Sequence, residues 1–534
     1  MDTTALQQFQ MHGQDIGRLL ALWATEKADH DALVWVPRAG DGRRWTYAEL
    51  QRDVHRVAAG LADRGIAKGD KVLIHAENCP EMVLAWLGCA VLGAVGVTTN
   101  TKSVGAEMSY FAGHTGAVAA ITQPQYATMV AAAAPALRWI AVTDDNSGEP
   151  PSDDQRDAVS AGGFVAFASL FGDAAAFSPR EPEPLLPFGI MFTSGTTSRP
   201  KAVVHTHANA IWASRSGPRS IDLCGDDTYL IVLPFFHVNA QAWSFFSVLG
   251  VGATAVLMPK WSQRGFWPTV VEHHVTHVSV LPFVLQALMS PERPADHSLR
   301  VGVFGFVMPE MTKATGIGLY AAYGMTETVT HAVSGKPYEG IPSRSMGHVT
   351  PGYEMAVVDK DTGELCAEGQ TGELWLRGAR GIQLFLEYYD NAEANEKAFE
   401  DGWFKTGDMV RMGPNGNVFY QERDKDLLKV GGENVSAKEV EDLIVALPAV
   451  QSCAVVGKQH EFLSEVVAAF VITTAGEHDL DALRAEIIER CATNLAGFKV
   501  PRAVYFVDEF PTGTLNKILK NRLREMADAE APVA

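Results

Sequence analysis

The chain has 534 residues, 47% of them hydrophobic and 20% charged, and a formal net charge of −19. That length exceeds one ordinary hydrophobic core and predicts two or more domains, while the composition excludes a disordered, fibrous or collagen-like chain. The acidic balance argues against nucleic acid and anionic lipid as partners, so an anionic substrate needs a local positive pocket.

The N-terminal MDTTALQQFQMHGQ has neither the basic nor the apolar region of a secretory signal. The first clear pattern is WTYAELQRDVHRVAAGLADRGIAKGDKVLIHAEN, where Leu50, Val54, Val57 and Leu61 recur at helical spacing before the strand KVLIHA. Met82 to Thr101 is uncharged over about 20 residues, nominally enough to span a bilayer. Its Gly- and Thr-rich second half instead predicts a buried helix running into a short strand. Alternation continues at AVAAITQ and WIAVTDD, which predicts α/β layering over a largely parallel sheet.

Between Asp144 and Pro187 the sequence turns rich in Pro, Ser, Gly and Asp, predicting a surface excursion. The strand-like FGIMF, a polar glycine loop, and two further α/β stretches follow, TYLIVLP with FFSVLGVGATAVLM and then VTHVSVLPFVLQALM. From about Met346 to Tyr420 short strands separated by turns predict a small β-rich subdomain. EVEDLIVALPAVQSCAVVGKQ, VVAAFVITT and DALRAEIIERCATNL then predict helix, strand, strand, helix. The expected organisation is a large N-terminal α/β domain over 1–422, with the β-rich subdomain at about 346–420, a hinge at 423–429 and a small mobile α+β domain over 430–534. The six cysteines show no CxxC and no histidine at metal spacing, so neither disulfides nor zinc is expected, and a reducing, cytoplasmic setting fits.

The most informative segment is TSGTTSRPK, Thr193 to Lys201, directly after an apolar strand. Hydroxyls and backbone N–H groups in a tight loop donate to phosphate oxygens, and Lys201, with Arg199, supplies positive charge. The spacing is not that of a Walker A loop. The string is similar to the phosphate loop of the adenylate-forming superfamily of acyl-CoA synthetases, luciferases and peptide-synthetase adenylation domains. Ser198 and Ala202 stand where that signature has glycines.

Further motifs follow in the family's order. YGMTET, Tyr323 to Thr328, resembles the segment in which Tyr323 stacks on adenine, Gly324 adjoins the acyl site, Thr326 contacts phosphate and Glu327 holds Mg²⁺. GWFKTGD places Asp408 where the family's aspartate accepts from both ribose hydroxyls. ERDKDLLKVGGENVSAKEVE resembles the hinge, with Arg423 on the ribose, Lys425 at the pivot, and Gly431 and Gly432 lining a tunnel for the pantetheine arm. A plain hairpin turn is the other reading of that glycine pair. In PTGTLNK, Lys517 takes the place of the lysine that bridges carboxylate and α-phosphate, with Asn516 where a glycine is usual. The phosphate loop Thr193, Ser194, Gly195, Thr196 and Thr197 completes the nucleotide site that the resemblance implies.

The resemblance implies an ATP-dependent acid–thiol ligase that uses Mg²⁺ and coenzyme A. An acyl-AMP forms with release of pyrophosphate and the acyl group then passes to the thiol, the C-terminal domain swinging between the steps. FFHVNAQAW places Phe236, His237, Val238 and Asn239 at the acyl site, with His237 also a catalytic candidate. The likeness is strongest to carnitine, crotonobetaine and fatty-acid ligases. Where relatives carry a Gly-Gly-Ala-Pro turn and a longer helix, this chain has Gly305, Phe306 and then only PEMTKATG, shorter by about one turn. A roomier pocket for a hydrophobic, bulky or polycyclic acid is the expectation, with no membrane span and a homodimer left open. Two alternatives stay open: a ligase that loads a carrier protein in trans, and an inactive adenylate-binding module.

Overall fold

In the computed structural model of this chain, residues 3–193, 199–360, 362–423, 427–476, 478–511 and 518–530 are described. The chain divides into two compact units. The first comprises Met1–Thr101, Ala112–Met191 and Ala202–Glu422, and the second comprises Lys102–Phe111, Phe192–Lys201 and Arg423–Ala534.

The first unit contains three sheets. A nine-stranded sheet has six parallel inner strands in the order Gly318–Tyr323, Val301–Phe304, His277–Ser279, Thr228–Ile231, Thr254–Leu257, Asp31–Trp35. An eight-stranded sheet likewise carries a parallel run in the order Pro187–Thr193, Val95–Thr98, Lys71–His75, Ala119–Thr122, Ile140–Val142, Val165–Ala166. These strands are short, apolar and buried on both faces, as parallel strands flanked by helices must be. The β-rich segment folds as a five-stranded antiparallel sheet beginning at Glu354–Val358.

The uncharged segment after Met82 belongs to the helix Pro80–Leu92, which starts with Pro at its first turn, stops at Gly93 in the left-handed region (φ +89°), and leads into the strand Val95–Thr98. No helix among the described residues is long and apolar enough to cross a membrane. Trp86 of this helix meets the rings of Phe188, Phe235, Phe245 and Phe246 at centroid distances of 5.0 to 6.2 Å. One indole therefore ties a helix, a central strand and the loop of the FFHVNAQAW motif into a single core.

The stretch from Asp144 to Pro187 is more than the surface excursion expected from its composition. It forms the helix Asp153–Ala161, adds the edge strand Val165–Ala166 and buries Phe167 and Leu170. Polar residues dominate the composition, yet two apolar side chains suffice to pull the return limb into the core. The contact is close, because a Cβ on Gly60 would lie 1.9 Å from the Leu170 carbonyl oxygen.

In the second unit, the strands Val450–His460 and Ser464–Thr473 form a long antiparallel pair joined in parallel by Ala503–Phe506. Alternate residues serve two faces, as the two-residue repeat of a strand requires. Val455, Val467, Ala469 and Val471 pack with helices Ala437–Val445 and Leu480–Asn494, whereas Ala454, Val456, Ala468 and Phe470 pack with helix Lys520–Ala529.

Two expectations follow from this packing. Gly60→Ala forces the Leu170 limb away and is expected to destabilise the protein by about 1–3 kcal/mol, read as a lowered melting temperature; an unchanged melting temperature would contradict the close approach. Burial also depresses the histidines of the first unit: His75 and His331 to about 3, His205 and His277 to about 4, and His207 well below its usual value. The unfolded chain therefore binds protons first as pH falls through 6.5, so stability is full above that value and drains as pH drops toward about 4. Each histidine costs up to about 1.4 kcal/mol per pH unit in that window. Urea denaturation across a pH series should show a steep loss below pH 6.5, and a flat profile down to about pH 5 would count against it.

Candidate active site

The segment from Tyr323 to His331 is the centre of the site. Tyr323 ends the strand Gly318–Tyr323, and the chain then leaves the sheet through one short 3-10 turn, Thr326–Thr328. So short a turn bonds its own carbonyls only in part, with the Val329 N–H on Thr326 at 3.3 Å and the Thr330 N–H on Thr328 at 2.7 Å, and three groups distant in sequence add to this. His205 donates through Nε2 to the Thr326 carbonyl at 2.7 Å, the Phe385 N–H donates to the Glu327 carbonyl at 2.8 Å, and the Tyr353 hydroxyl donates to the Thr328 carbonyl at 2.8 Å. Tyr353 is itself held by the Trp212 indole N–H at 3.0 Å. Because burial keeps His205 neutral, its carbonyl partner fixes the tautomer with the proton on Nε2.

On one side of the turn lie two oriented acids. The Tyr323 hydroxyl donates to Asp408 Oδ2 at 2.6 Å. Asp408 sits in the strand Trp403–Met412 at a bulge, where Glu373 opposes Met409 but Trp375 opposes Lys405. Gly407 absorbs the bend at φ +76°, its N–H donating to Glu373 Oε1 at 2.8 Å. Bulges of this kind re-aim a side chain, here the Asp408 carboxylate toward Tyr323. Glu327 is 4% exposed, and the Tyr388 hydroxyl donates to its Oε1 at 2.9 Å. Among the described residues no cluster of three or more His, Cys, Asp or Glu forms a metal cage. A single oriented carboxylate fits Mg²⁺ delivered with nucleotide phosphates, since that ion keeps most of its ligands as water and phosphate oxygen.

On the other side runs the FFHVNAQAW loop. The buried Asn78 amide donates to the carbonyls of Leu233 and Met258 at 3.0 Å each and accepts from the Phe235 N–H at 2.6 Å. Gln241 Nε2 donates to the Phe235 carbonyl at 2.8 Å and to Thr98 Oγ1 at 3.1 Å. Two amides thus clamp the backbone that carries Phe236, His237 and Val238, whose first two rings lie 4.6 Å apart. Asn239 then opens a π-helix, Asn239–Phe245. Gly324 is fixed by contact: a Cβ there would lie 2.5 Å from the Thr330 carbonyl oxygen and 2.9 Å from the Trp243 ring. Phe306 packs edge-on against Phe304 at 4.8 Å, Gly305 is exposed with open space at its Cβ position, and the following helix, Pro309–Thr315, has seven residues.

The sequence profile of the AMP-binding enzyme family matches residues 20–389, and that of the AMP-binding enzyme C-terminal domain matches 439–517. The chain belongs to the AMP-binding enzyme family. It is 32% identical to a crotonobetaine/carnitine–CoA ligase of Salmonella heidelberg, over 96% of this chain and 99% of the relative. Among solved structures it is similar to an o-succinylbenzoate CoA synthetase of Bacillus subtilis, at a TM-score of 0.77 and 25% identity over 95% of this chain and 98% of that one. It is also similar to a fatty acyl CoA synthetase of Mycobacterium tuberculosis, at 0.66 and 29% over 96% and 98%. The protein is therefore an AMP-forming acid–thiol ligase of the adenylate-forming kind.

Of the residues singled out from sequence, Tyr323, Gly324, Thr326, Glu327 and Asp408 come together around the turn, and Phe236, His237, Val238 and Asn239 share the clamped loop and the start of its π-helix. In the second unit Thr193 ends the strand Pro187–Thr193 and Lys201 begins Lys201–Thr206, while Arg199 lies over the Tyr110 ring at 5.3 Å and the Tyr110 hydroxyl donates to the Pro200 carbonyl at 3.0 Å. Gly431 and Gly432, at φ +59° and +88°, form the two-residue turn of the hairpin between Leu427–Val430 and Glu433–Ser436, where positive φ at both positions suits a type I′ turn. Arg423 ends the strand Val418–Arg423. Ser194, Gly195, Thr196, Thr197, Lys425 and Lys517 lie outside the described residues.

Sequence reasoning missed Tyr388, Tyr353, His205, Asn78 and Gln241. None carries a local signal, since each has a partner distant in sequence, although Gln241 also reaches Phe235 six residues away. Tyr388→Phe removes only the hydroxyl that orients Glu327. It is expected to lower kcat/KM for acid-dependent pyrophosphate release by about 10- to 100-fold, the worth of a hydrogen bond to a charged group. Unchanged kcat/KM in a folded variant would mean that Glu327 does not depend on Tyr388.

Proposed function

We propose that this ligase activates a bulky, largely apolar carboxylic acid and transfers it to coenzyme A. The carrying observation is the pairing of oriented acids at the Thr326–Thr328 turn, Asp408 with Tyr323 and Glu327 with Tyr388, beside an aromatic loop whose Trp243 ring meets Gly324 and His331 of the same segment. In this reading Asp408 accepts the ribose hydroxyls, Tyr323 lies against adenine and Thr326 contacts phosphate. Glu327 holds Mg²⁺, which spreads the phosphate charge. Lys201 and Lys517 neutralise the approach of carboxylate to α-phosphate, a step between two anions in which positioning and charge matter more than a strong base.

In the first step a carboxylate oxygen bonds to the α-phosphorus and pyrophosphate leaves; in the second the thiol sulfur bonds to the acyl carbon, AMP leaves and the thiol proton goes to solvent or a base. Arg423, Lys425, Gly431 and Gly432 belong in this reading to the hinge and thiol channel of the small C-terminal domain. Relatives named for crotonobetaine, carnitine, o-succinylbenzoate and fatty acids support coenzyme A as acceptor but differ in their acid. The apolar, bulky acid is supported by Phe236, Phe304 and Phe306, by the open space at Gly305, and by the brevity of helix Pro309–Thr315. Six free cysteines suit a reducing cytoplasm.

The test is pyrophosphate release with ATP and Mg²⁺ across linear, aromatic and polycyclic acids, with and without coenzyme A, products being followed by mass. A coenzyme A thioester of a bulky acid is expected; turnover of short linear acids alone would reject the acid class, and adenylate without thioester would point to carrier loading in trans. Lys517→Ala should abolish adenylate formation yet spare thioester formation from supplied acyl-AMP. Equal loss of both steps would reject the two-step assignment.

A further inference from the structure

Five buried polar atoms beside the acyl loop have no hydrogen-bond partner among the described residues: Trp243 Nε1, Ser247 Oγ, Thr330 Oγ1, and both ring nitrogens of His331. Ser247, Thr330 and His331 are fully buried. Buried polar groups are almost always satisfied, so a group of orphans demands a partner of its own.

The atoms belong to one place. The Trp243 and His331 rings meet edge to face at 4.9 Å. A Cβ on Gly217 would lie 2.1 Å from Ser247 Oγ and 3.7 Å from Thr330 Oγ1, so both hydroxyls face the same glycine. Gly324 joins the two pairs, touching the Trp243 ring and the Thr330 backbone.

The backbone is distorted on both sides of the patch. Trp243 sits in the seven-residue π-helix Asn239–Phe245, a form rare elsewhere and frequent at functional sites. Val329 adopts φ +65°, ψ −59°, and the Thr330 N–H donates to the Thr328 carbonyl at 2.7 Å. That is a γ-turn with positive φ, strained for any residue and more so for a β-branched one. The strain delivers Thr330 and His331 to their positions, and strain of this kind persists where the surroundings enforce it at a working site.

We propose that Trp243, Ser247, Thr330 and His331 form a neutral specificity patch that recognises a hydroxyl or ketone oxygen carried on the body of the acid. The proposal rests on the ligase reading and refines its acid. Burial holds His331 unprotonated, so the ring offers one donor and one acceptor beside the donor of Trp243 and two hydroxyls that can do either. None of the four side chains carries a charge, which suits a neutral oxygen and gives no counter-ion to a quaternary ammonium group.

The experiment compares kcat/KM for pyrophosphate release with matched acids: cyclohexanecarboxylic acid against its ring-hydroxylated and ring-keto forms, cholanic acid against its hydroxylated forms, and crotonobetaine, which carries a quaternary ammonium and no hydroxyl. The oxygen-bearing member of a pair is expected to win by about 100-fold or more, because a site built to hydrogen-bond penalises the analogue that leaves its groups unpaired. His331→Leu and Trp243→Phe should each shrink that ratio to below about 10-fold. The second variant keeps an aromatic ring at the position and serves where the first fails to fold. Plain acids turned over as well as their oxygenated partners, a preference for crotonobetaine, or a ratio untouched by both variants would overturn the patch while leaving the ligase reading intact. No pyrophosphate from any acid would overturn both.

Discussion

The carbonyl oxygens of Thr326, Glu327 and Thr328 each accept a hydrogen bond from a different part of the first unit: the strand with His205, the segment with Phe385, and Tyr353. A turn pinned at three successive carbonyls has little freedom to shift along any axis. Its side chains and flanks are therefore positioned by elements distant in sequence, and those elements meet here because three sheets converge on the turn. Asp408 and Tyr388 reach it from the antiparallel sheet and the edge of the eight-stranded one, and Tyr323 arrives on the nine-stranded one. In the proposed function the nucleotide and the acid both lie against one short segment, Tyr323 to His331.

The polar groups that fix this segment are buried, and burial decides how they work. An unpaired amide or imidazole in such surroundings costs about 1–3 kcal/mol, so each clamp is stable only when complete. Asn78 meets this condition with three hydrogen bonds, to Leu233, Phe235 and Met258, and Gln241 with two, to Phe235 and Thr98. His205 meets it by staying neutral and giving its single proton to a carbonyl. The arrangement trades stability at low pH for a rigid scaffold, because every neutral buried histidine is a proton acceptor once the chain unfolds.

What the sequence made legible follows from the range over which each signal acts. Buried parallel strands, the helix Pro80–Leu92, the β-rich segment and the alternating strands of the second unit are local patterns, and each lies where its periodicity put it. YGMTET and GWFKTGD are local too, and the structure joins them through the Tyr323 hydroxyl on Asp408. Tyr388 lies 61 residues from Glu327 and His205 lies 121 from Thr326, so no window of sequence contains both partners. The Asp144 to Pro187 stretch misled for a related reason: its composition is that of a loop, and two apolar side chains that find Gly60 decide its path. A π-helix has no compositional mark at all, since Asn239–Phe245 differs from an α-helix only in which carbonyl each N–H finds.

Sharing one turn between two binding faces has a consequence for catalysis. Contacts to parts of the acid remote from the carboxylate accelerate the reaction only if they strengthen as the transition state forms, and otherwise they merely tighten binding. Here the route from one face to the other is short and stiff: Thr330 and His331 follow a strained γ-turn, which follows the 3-10 turn that carries Glu327. An acid body that engages the Trp243 and His331 side would settle Val329 in its strained conformation, and with it the backbone on which Glu327 and Thr326 stand. Under the proposed function the physical logic of the site is thus one of preorganisation, in which recognition of the acyl body and alignment of the nucleotide fall to the same nine residues.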